Sequence, residues 1–199
     1  MSFADRCRRD VQAHLEAVRE FFDNHAADVQ RSAELLARAL ANGGKILLFG
    51  NGGSAADAQH LSAELVNRMT WDRRALAALA LTTDSSILTS VANDTAYDQI
   101  FARQLEALAR PGDAVVAIST SGNSPSILEG LRRARVMGLR TVGLLGNDGG
   151  GAAGLCEHPV IVKRAETARI QEVHILIGHL ICEEVESLLV ARSPGDKPS

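Results

Sequence analysis

Five short apolar runs separated by helix-like stretches constrain this chain more than any other feature. They are Lys45-Ile46-Leu47-Leu48-Phe49, Leu76 to Leu81, Ala114 to Ile118, Thr141 to Leu145 and Val160 to Val162, with helices expected to begin near Ser54, Ser85, Ser124 and Gly150. Strands that read as apolar throughout, rather than alternating, are buried on both faces. Strand and helix alternating five times predict an α/β fold, a five-stranded parallel sheet covered by helices on both faces. Ligands in such sheets bind beyond the carboxyl ends of the strands. At 199 residues the chain suits one such domain and leaves no room for a second complete one.

Ahead of the first run, Val11, Leu15, Val18, Phe22, Val29, Leu36 and Leu40 recur at helical spacing with no internal proline, and Gly43-Gly44 stops the pattern. Residues 5 to 42 are therefore one long helix or two in tandem. A last helix is expected from about Ala168 to Val190. The chain divides into a helical segment over 1–43, an α/β domain over 44–190 and a tail over 191–199 whose composition suits disorder. The 21 basic and 24 acidic residues are well mixed and give a net charge of −3, so no basic stripe offers itself to nucleic acid. The three cysteines, Cys7, Cys156 and Cys182, are odd in number and scattered, which suggests neither a disulfide framework nor a thiolate metal site. Residues 1–6 have no apolar signal core, and no run approaches the roughly 20 apolar residues needed to span a bilayer. The expectation is a cytoplasmic protein without membrane contact.

Two loops carry the chemistry. Gly50-Asn51-Gly52-Gly53-Ser54 joins the first strand to a helix, where glycines let backbone N–H groups converge on an anion and the helix N-terminus adds positive potential. Ser54 is a suitable N-cap. Read through Ala55 the loop is also G-x-G-x-x-A, a weak dinucleotide fingerprint for which Asp84 could be the ribose acid. The second loop, Ser119-Thr120-Ser121-Gly122-Asn123-Ser124, offers four hydroxyls within six residues, which a dinucleotide site does not require. Hydroxyls and backbone donors at adjacent strand ends suit a small phosphomonoester. The absence of G-K-[ST] argues against a nucleoside-triphosphate loop.

The helix after the first loop places His60 and Glu64 one turn apart and about 40° around the axis, so both can face one ion or substrate. An ordinary surface alternative is a Glu64–Arg68 pair at i, i+4. On the last helix Gln171 and His179 lie about 80° apart, whereas His174 and His179 diverge by roughly 140°. His174 is therefore expected to be a structural histidine. His179 sits in an apolar run, where a histidine is functional only if it has a partner.

Taken together, Gly50 to His60, Glu64, Arg68, Ala92-Asn93-Asp94, Ile118 to Ser124, Arg169-Ile170-Gln171-Glu172 and His179 resemble the sugar isomerase (SIS) domain family, most closely its branch acting on sedoheptulose 7-phosphate. The resemblance implies a flavodoxin-like three-layer sandwich of SIS type and an enzyme that makes D-glycero-D-manno-heptose 7-phosphate for the heptose core of bacterial lipopolysaccharide. It implies Glu64 and His179 as the acid–base pair, and one zinc ion per subunit held by His60, Glu64, Gln171 and His179. Substrate contacts are expected from Asn51, Gly52, Gly53, Ser54, Glu64, Arg68, Asn93, Asp94, Ser119, Thr120, Ser121, Ser124 and Gln171. A homotetramer with sites at subunit interfaces, to which the N-terminal helices contribute, is implied as well. Met69 after the arginine and Lys163-Arg164 before the last helix depart from the family pattern. The same family includes a non-catalytic relative that binds the bacterial replication initiator, and a sugar-phosphate sensor would also keep both loops. Neither needs Glu64 and His179.

Overall fold

The computed structural model describes residues 1–190, and the tail expected over 191–199 lies outside the described residues. The chain opens with one uninterrupted helix, α1 (Phe3–Ala41), started by a capping box in which Ser2 accepts from the Asp5 N–H and the Asp5 carboxylate accepts from the Ser2 N–H. Then come β1 (Ile46–Gly50), α2 (Gly53–Val66), β2 (Ala78–Ala80), α3 (Ser85–Asp94) and a 3₁₀ turn (Tyr97–Gln99). The second half comprises α4 (Ile100–Leu108), β3 (Ala114–Ser119), α5 (Pro125–Val136), β4 (Arg140–Gly146), α6 (Gly150–Ala153), β5 (His158–Val162) and α7 (Thr167–Leu189).

All five strands are parallel, in the order β2-β1-β3-β4-β5, with β1 and β3 in register from Ile46 opposite Ala114 to Gly50 opposite Ile118. The apolar runs are buried throughout β1 and β3, as a sheet covered on both faces requires. Alternate residues feed two cores. Ile46, Leu48, Val116, Leu144 and Val160 meet α1, α2 and α7 on one face, while Leu47, Phe49, Val115, Ala117 and Leu145 meet α4 and α5 on the other. Phe49 stacks on Phe101 with centroids 4.9 Å apart, and Gly130 admits the Phe49 ring because a Cβ there would stand 2.9 Å from it. Each fully buried leucine or phenylalanine contributes about 1.5–3 kcal/mol.

Two elements differ from the sequence expectation. The stretch beginning at Ser85 is not one helix: Thr95, with φ −128° and ψ −87°, ends α3, and the chain resumes through the 3₁₀ turn into α4. β2 is only three residues long, a short edge strand of the kind that resists pairing with other chains. At the opposite end of the sheet from the loops, the buried Asp113 accepts from the Lys45 N–H at 2.9 Å and the Arg110 N–H at 2.7 Å and pairs with the Lys45 ammonium. The three cysteines are free, and burial pushes the Cys156 and Cys182 thiols up to about 12. Among the described residues no helix is long and apolar enough to cross a membrane.

His174 is buried on the inner face of α7, and neither ring nitrogen has a hydrogen-bond partner of good geometry. Burial brings its pKa down from 6.5 to about 4, opposed only weakly by the Leu145 backbone. The unfolded chain therefore takes up a proton below pH 6.5 that the folded chain refuses until about pH 4, so stability falls as pH falls through that window. The expected loss is about 3 kcal/mol, from 1.36 kcal/mol per pKa unit. Urea titrations across this range should show a slope in the parent protein that is markedly reduced in His174→Leu, which places no titratable group at this position.

Candidate active site

The strand order reverses between β1 and β3, so the loops that leave their carboxyl ends diverge and open the crevice where parallel sheets bind ligands. Both loops lead directly into helices, α2 at Gly53 and α5 at Pro125, whose first N–H groups face the crevice with positive potential. Gly52 is the N-cap of α2, at φ 56° and ψ −122°, a conformation that L side chains rarely adopt. Ser54 was expected to be that cap. It is instead the second residue of the helix and is buried, because the left-handed turn at Gly52 starts the helix two residues earlier.

The hydroxyl loop is braced from within and from behind. Ser119 Oγ accepts from the Gly122 N–H at 3.1 Å and Ser121 Oγ from the Asn123 N–H at 3.2 Å, so each hydroxyl proton remains available to an anion. Thr120 and Ser124 direct their hydroxyls to no partner among the described residues; Ser124 occupies the cap position of α5 without a side-chain capping bond. Gly122 has φ +65°, and its missing Cβ lets the Gly149 carbonyl approach to a point a methyl would occupy. Asn123 accepts from the Gly151 N–H and Asn147 donates to the Thr120 carbonyl, both at 2.9 Å. Across the crevice, Asn51 Nδ2 donates to Ser126 Oγ at 2.9 Å while Tyr97 donates to Asn51 Oδ1 at 3.1 Å. These residues line a cleft of about 560 Å³ together with Ser124 and Asp98.

A second group of side chains meets where α2 crosses α7. Gly178 lies against Leu61 so closely that a Cβ there would stand 2.6 Å from the leucine methyl carbons. That approach brings His60 Nε2 to 3.3 Å from His179 Nε2, with the rings edge to face at 4.9 Å, and leaves Glu64 Oε1 3.3 Å from His60 Nε2. Gln171, two turns before His179, folds its amide over the first loop, where a Cβ on Gly53 would stand 2.5 Å from Nε2. Asp57 stands one turn before His60. Burial raises its pKa, offset in part by His60 and His179, and its Oδ2 is buried without a partner.

Could these donors hold a metal ion? No three histidine, cysteine or acidic side chains already close on one centre among the described residues. The donor chemistry nevertheless fits zinc: two imidazoles, a carboxylate and a neighbouring amide, with no thiolate. The two 3.3 Å separations at His60 also match the edges of about 3.4 Å that a tetrahedron with arms near 2.1 Å possesses.

The remaining expected residues stand apart from this geometry. Arg68 is exposed just beyond α2, and Glu64 pairs with His60 rather than with it. Asn93 and Asp94 bond to each other at 2.7 Å on the last turn of α3 and make no hydrogen bond to either loop among the described residues. Asp84, the ribose acid of the dinucleotide alternative, caps α3 by accepting from the Ile87 N–H. Ser126, Tyr97 and Asp57 were not singled out from sequence. Only Asp57, at i−3 from His60, carried a positional signal.

An α/β sheet of this order with paired anion-binding loops at its switch point and an imidazole–carboxylate cluster beside them defines a phosphosugar-binding domain, and the chain belongs to the SIS domain family, whose profile matches residues 9–146. It is similar to the phosphoheptose isomerase of Paramagnetospirillum magneticum, 53% identical over 94% of this chain and 98% of that protein. It is also similar to the solved phosphoheptose isomerase structures of Neisseria gonorrhoeae and Francisella tularensis. The first has 40% identity and a TM-score of 0.89, the second 32% and 0.91; each match covers 94% of this chain and 100% of that structure's chain.

Gly53→Ala tests the close approach of Gln171. The obstructing atoms are the end of a flexible side chain, so the fold should persist, with unfolding free energy changed by no more than about 1 kcal/mol. Displacing the amide removes a donor from a charged ligand, worth about 1.5–3 kcal/mol. Calorimetric titration with a sugar phosphate should accordingly show binding weakened tenfold or more.

Proposed function

We infer that the protein isomerises D-sedoheptulose 7-phosphate to D-glycero-D-manno-heptose 7-phosphate by proton transfer between C1 and C2. The observation that carries the reading is the convergence of Glu64 and His179, through His60, beside a cradle suited to a phosphate. Relatives named phosphoheptose isomerase at about half identity over nearly the full length support it.

Moving hydrogen between the carbonyl carbon and its neighbour needs a base at carbon and a proton donor at oxygen. Glu64 takes the proton from one carbon, an enediol forms, and the same carboxyl returns the proton to the other carbon. His179 protonates the carbonyl oxygen and accepts the proton of the adjacent hydroxyl, so that the two oxygens exchange roles. Ser119, Thr120, Ser121 and Ser124 hold the phosphate with hydroxyl protons, helped by the N-termini of α2 and α5. Asn51, clamped by Tyr97 and Ser126, presents a fixed amide to the crevice. His60, Glu64, Gln171 and His179 would hold a zinc ion, which supplies a Lewis acid for the sugar carbonyl when bound.

Arg68, Asn93 and Asp94 are read as substrate contacts on the strength of the family resemblance. We also read the chain as a cytoplasmic homotetramer that binds neither nucleic acid nor membrane. Val11 and Leu15 support the assembly: on the first half of α1 they are 58% and 41% exposed and stand one turn apart on one face.

Glu64→Gln and His179→Gln should each fold and bind phosphate yet lose about 10²- to 10⁴-fold in turnover of sedoheptulose 7-phosphate. Near-parental turnover in either variant, or no aldose product from the parent protein after zinc is restored, would sink the isomerase reading in favour of a binding or sensing protein.

A further inference from the structure

The α2–β2 connection contains a buried ion pair that the proposed chemistry does not use. Arg73 and Glu186 meet at 2.6 Å with side chains 3% and 0% exposed. Glu186, on α7, accepts from three successive backbone N–H groups, Met69 at 2.7 Å, Thr70 at 2.8 Å and Trp71 at 3.1 Å. Burial alone would raise its pKa; those three donors and the guanidinium more than offset this and hold the carboxyl below its usual range. Arg73 turns the other way. Its Nη2 donates to the main-chain carbonyl of Glu64 at 2.9 Å and its Nη1 to that of Leu65 at 3.0 Å. These are carbonyls from the last turn of α2, which helix geometry leaves without intrahelical partners.

We propose that Arg73 is a positioning residue for Glu64, joined to Glu186 in a clamp that sets the far end of α2 against α7. The proposal rests on the isomerase reading for its kinetic consequence. Glu186 follows His179 by seven residues, about 10 Å along α7 and within roughly 20° of the same face. One face of α7 therefore meets α2 twice, at His179 opposite His60 and at Glu186 over the connection. The Leu61–Gly178 approach lies immediately beside the first of these points. With both ends of the seam held, Glu64 has a main-chain anchor of its own, and Arg68 immediately precedes the amides that Glu186 gathers.

Stability alone is a poor reason for such a pair. Burying two charges costs desolvation that their attraction barely repays, and apolar residues of the same volume commonly serve as well. An apolar pair could fill the space but could not grip the Glu64 carbonyl at a set distance from α7. The two phosphate loops lie at the other end of α2, so loosening the clamp should disturb the proton transfer and spare phosphate binding.

The test is steady-state kinetics on the full-length, zinc-replete protein, well below each variant's melting midpoint, for Arg73→Lys, Glu186→Gln and Asp113→Asn. Arg73→Lys keeps the charge but not the fork; Glu186→Gln keeps the acceptor oxygen but not the charge. Both should lower kcat about 10²-fold, the scale of an ångström-sized misplacement, with KM within about threefold. Asp113→Asn weakens a buried clamp that makes no hydrogen bond to α2, α7 or their connections among the described residues, and should destabilise the protein while keeping kcat. Folded Arg73→Lys and Glu186→Gln with parental kcat would overturn the proposal, as would equal loss in Asp113→Asn. Crystal structures of the same variants are the second readout, and should show the 3.3 Å separation of His60 and His179 opened. An unchanged separation in both overturns the clamp. Absence of turnover in the parent protein instead overturns the isomerase reading, and the crystallographic arm then decides the clamp by itself.

Discussion

The crossing of α2 over α7 at Leu61 and Gly178 is the contact on which the site depends. Parallel strand order alone would place two anion-binding loops at a switch point and produce a phosphate binder. Chemistry at a sugar carbonyl requires side chains from two helices at one point, and helices normally pack with axes 8–10 Å apart. A glycine at the crossing removes the Cβ that would hold them off, and His60 and His179 then reach each other at 3.3 Å. Gln171 closes the arrangement from the same helix by folding over Gly53. The two phosphate loops and the histidine–carboxylate cluster thus share α2, and α7 touches both through Gln171 and His179, so a shift of α7 is felt at both.

The proposed cradle draws its donors from the two loops themselves, with Lys163 and Arg164 lining the cleft beside Ser121 and Asn123. Hydroxyl protons, helix N-termini and backbone N–H groups supply the positive potential as dipoles whose orientation is set by the loops behind them. Ser119 and Ser121 illustrate the division of labour: their lone pairs bind the loop's own amides, which leaves each hydroxyl proton uncommitted to the loop. In the proposed role such a site would hold a dianion with little loss of side-chain freedom, because the donors are already placed before the ligand arrives.

Much of this was legible in the sequence because the relevant signals are local. The doubly buried runs specified a parallel sheet, and one unbroken helical pattern ran from near the start to Gly43. The hydroxyl cluster and the i, i+4 spacing of His60 and Glu64 were visible as chemistry. What was not legible depends on contacts between distant segments. Nothing in the local pattern showed that Gly52 rather than Ser54 caps α2, since the preference of serine for a cap was overridden by a turn that only glycine enters easily. Nor could Tyr97 and Ser126 be connected with Asn51, or Arg73 with Glu186, because their partners lie 46, 75 and 113 residues away along the chain. The break between α3 and α4 was hidden for a related reason: Thr95 ends the first helix in a stretch whose apolar periodicity continues through it.

Several features at this seam lower stability, and their concentration argues for catalysis over binding alone. Gly178 sits in the middle of a 23-residue helix, where glycine costs about 1 kcal/mol relative to alanine. Asp57 buries a carboxyl oxygen without a partner among the described residues, and two imidazoles are held edge to face at 4.9 Å. A protein that only needed to recognise a phosphate would gain from helices set far enough apart to admit alanine in place of Gly178, an apolar residue in place of Asp57 and a single histidine, with both loops intact. Local violations of otherwise consistent folding rules cluster where function demands them. Here they surround the point at which a carboxylate and an imidazole can act on one substrate.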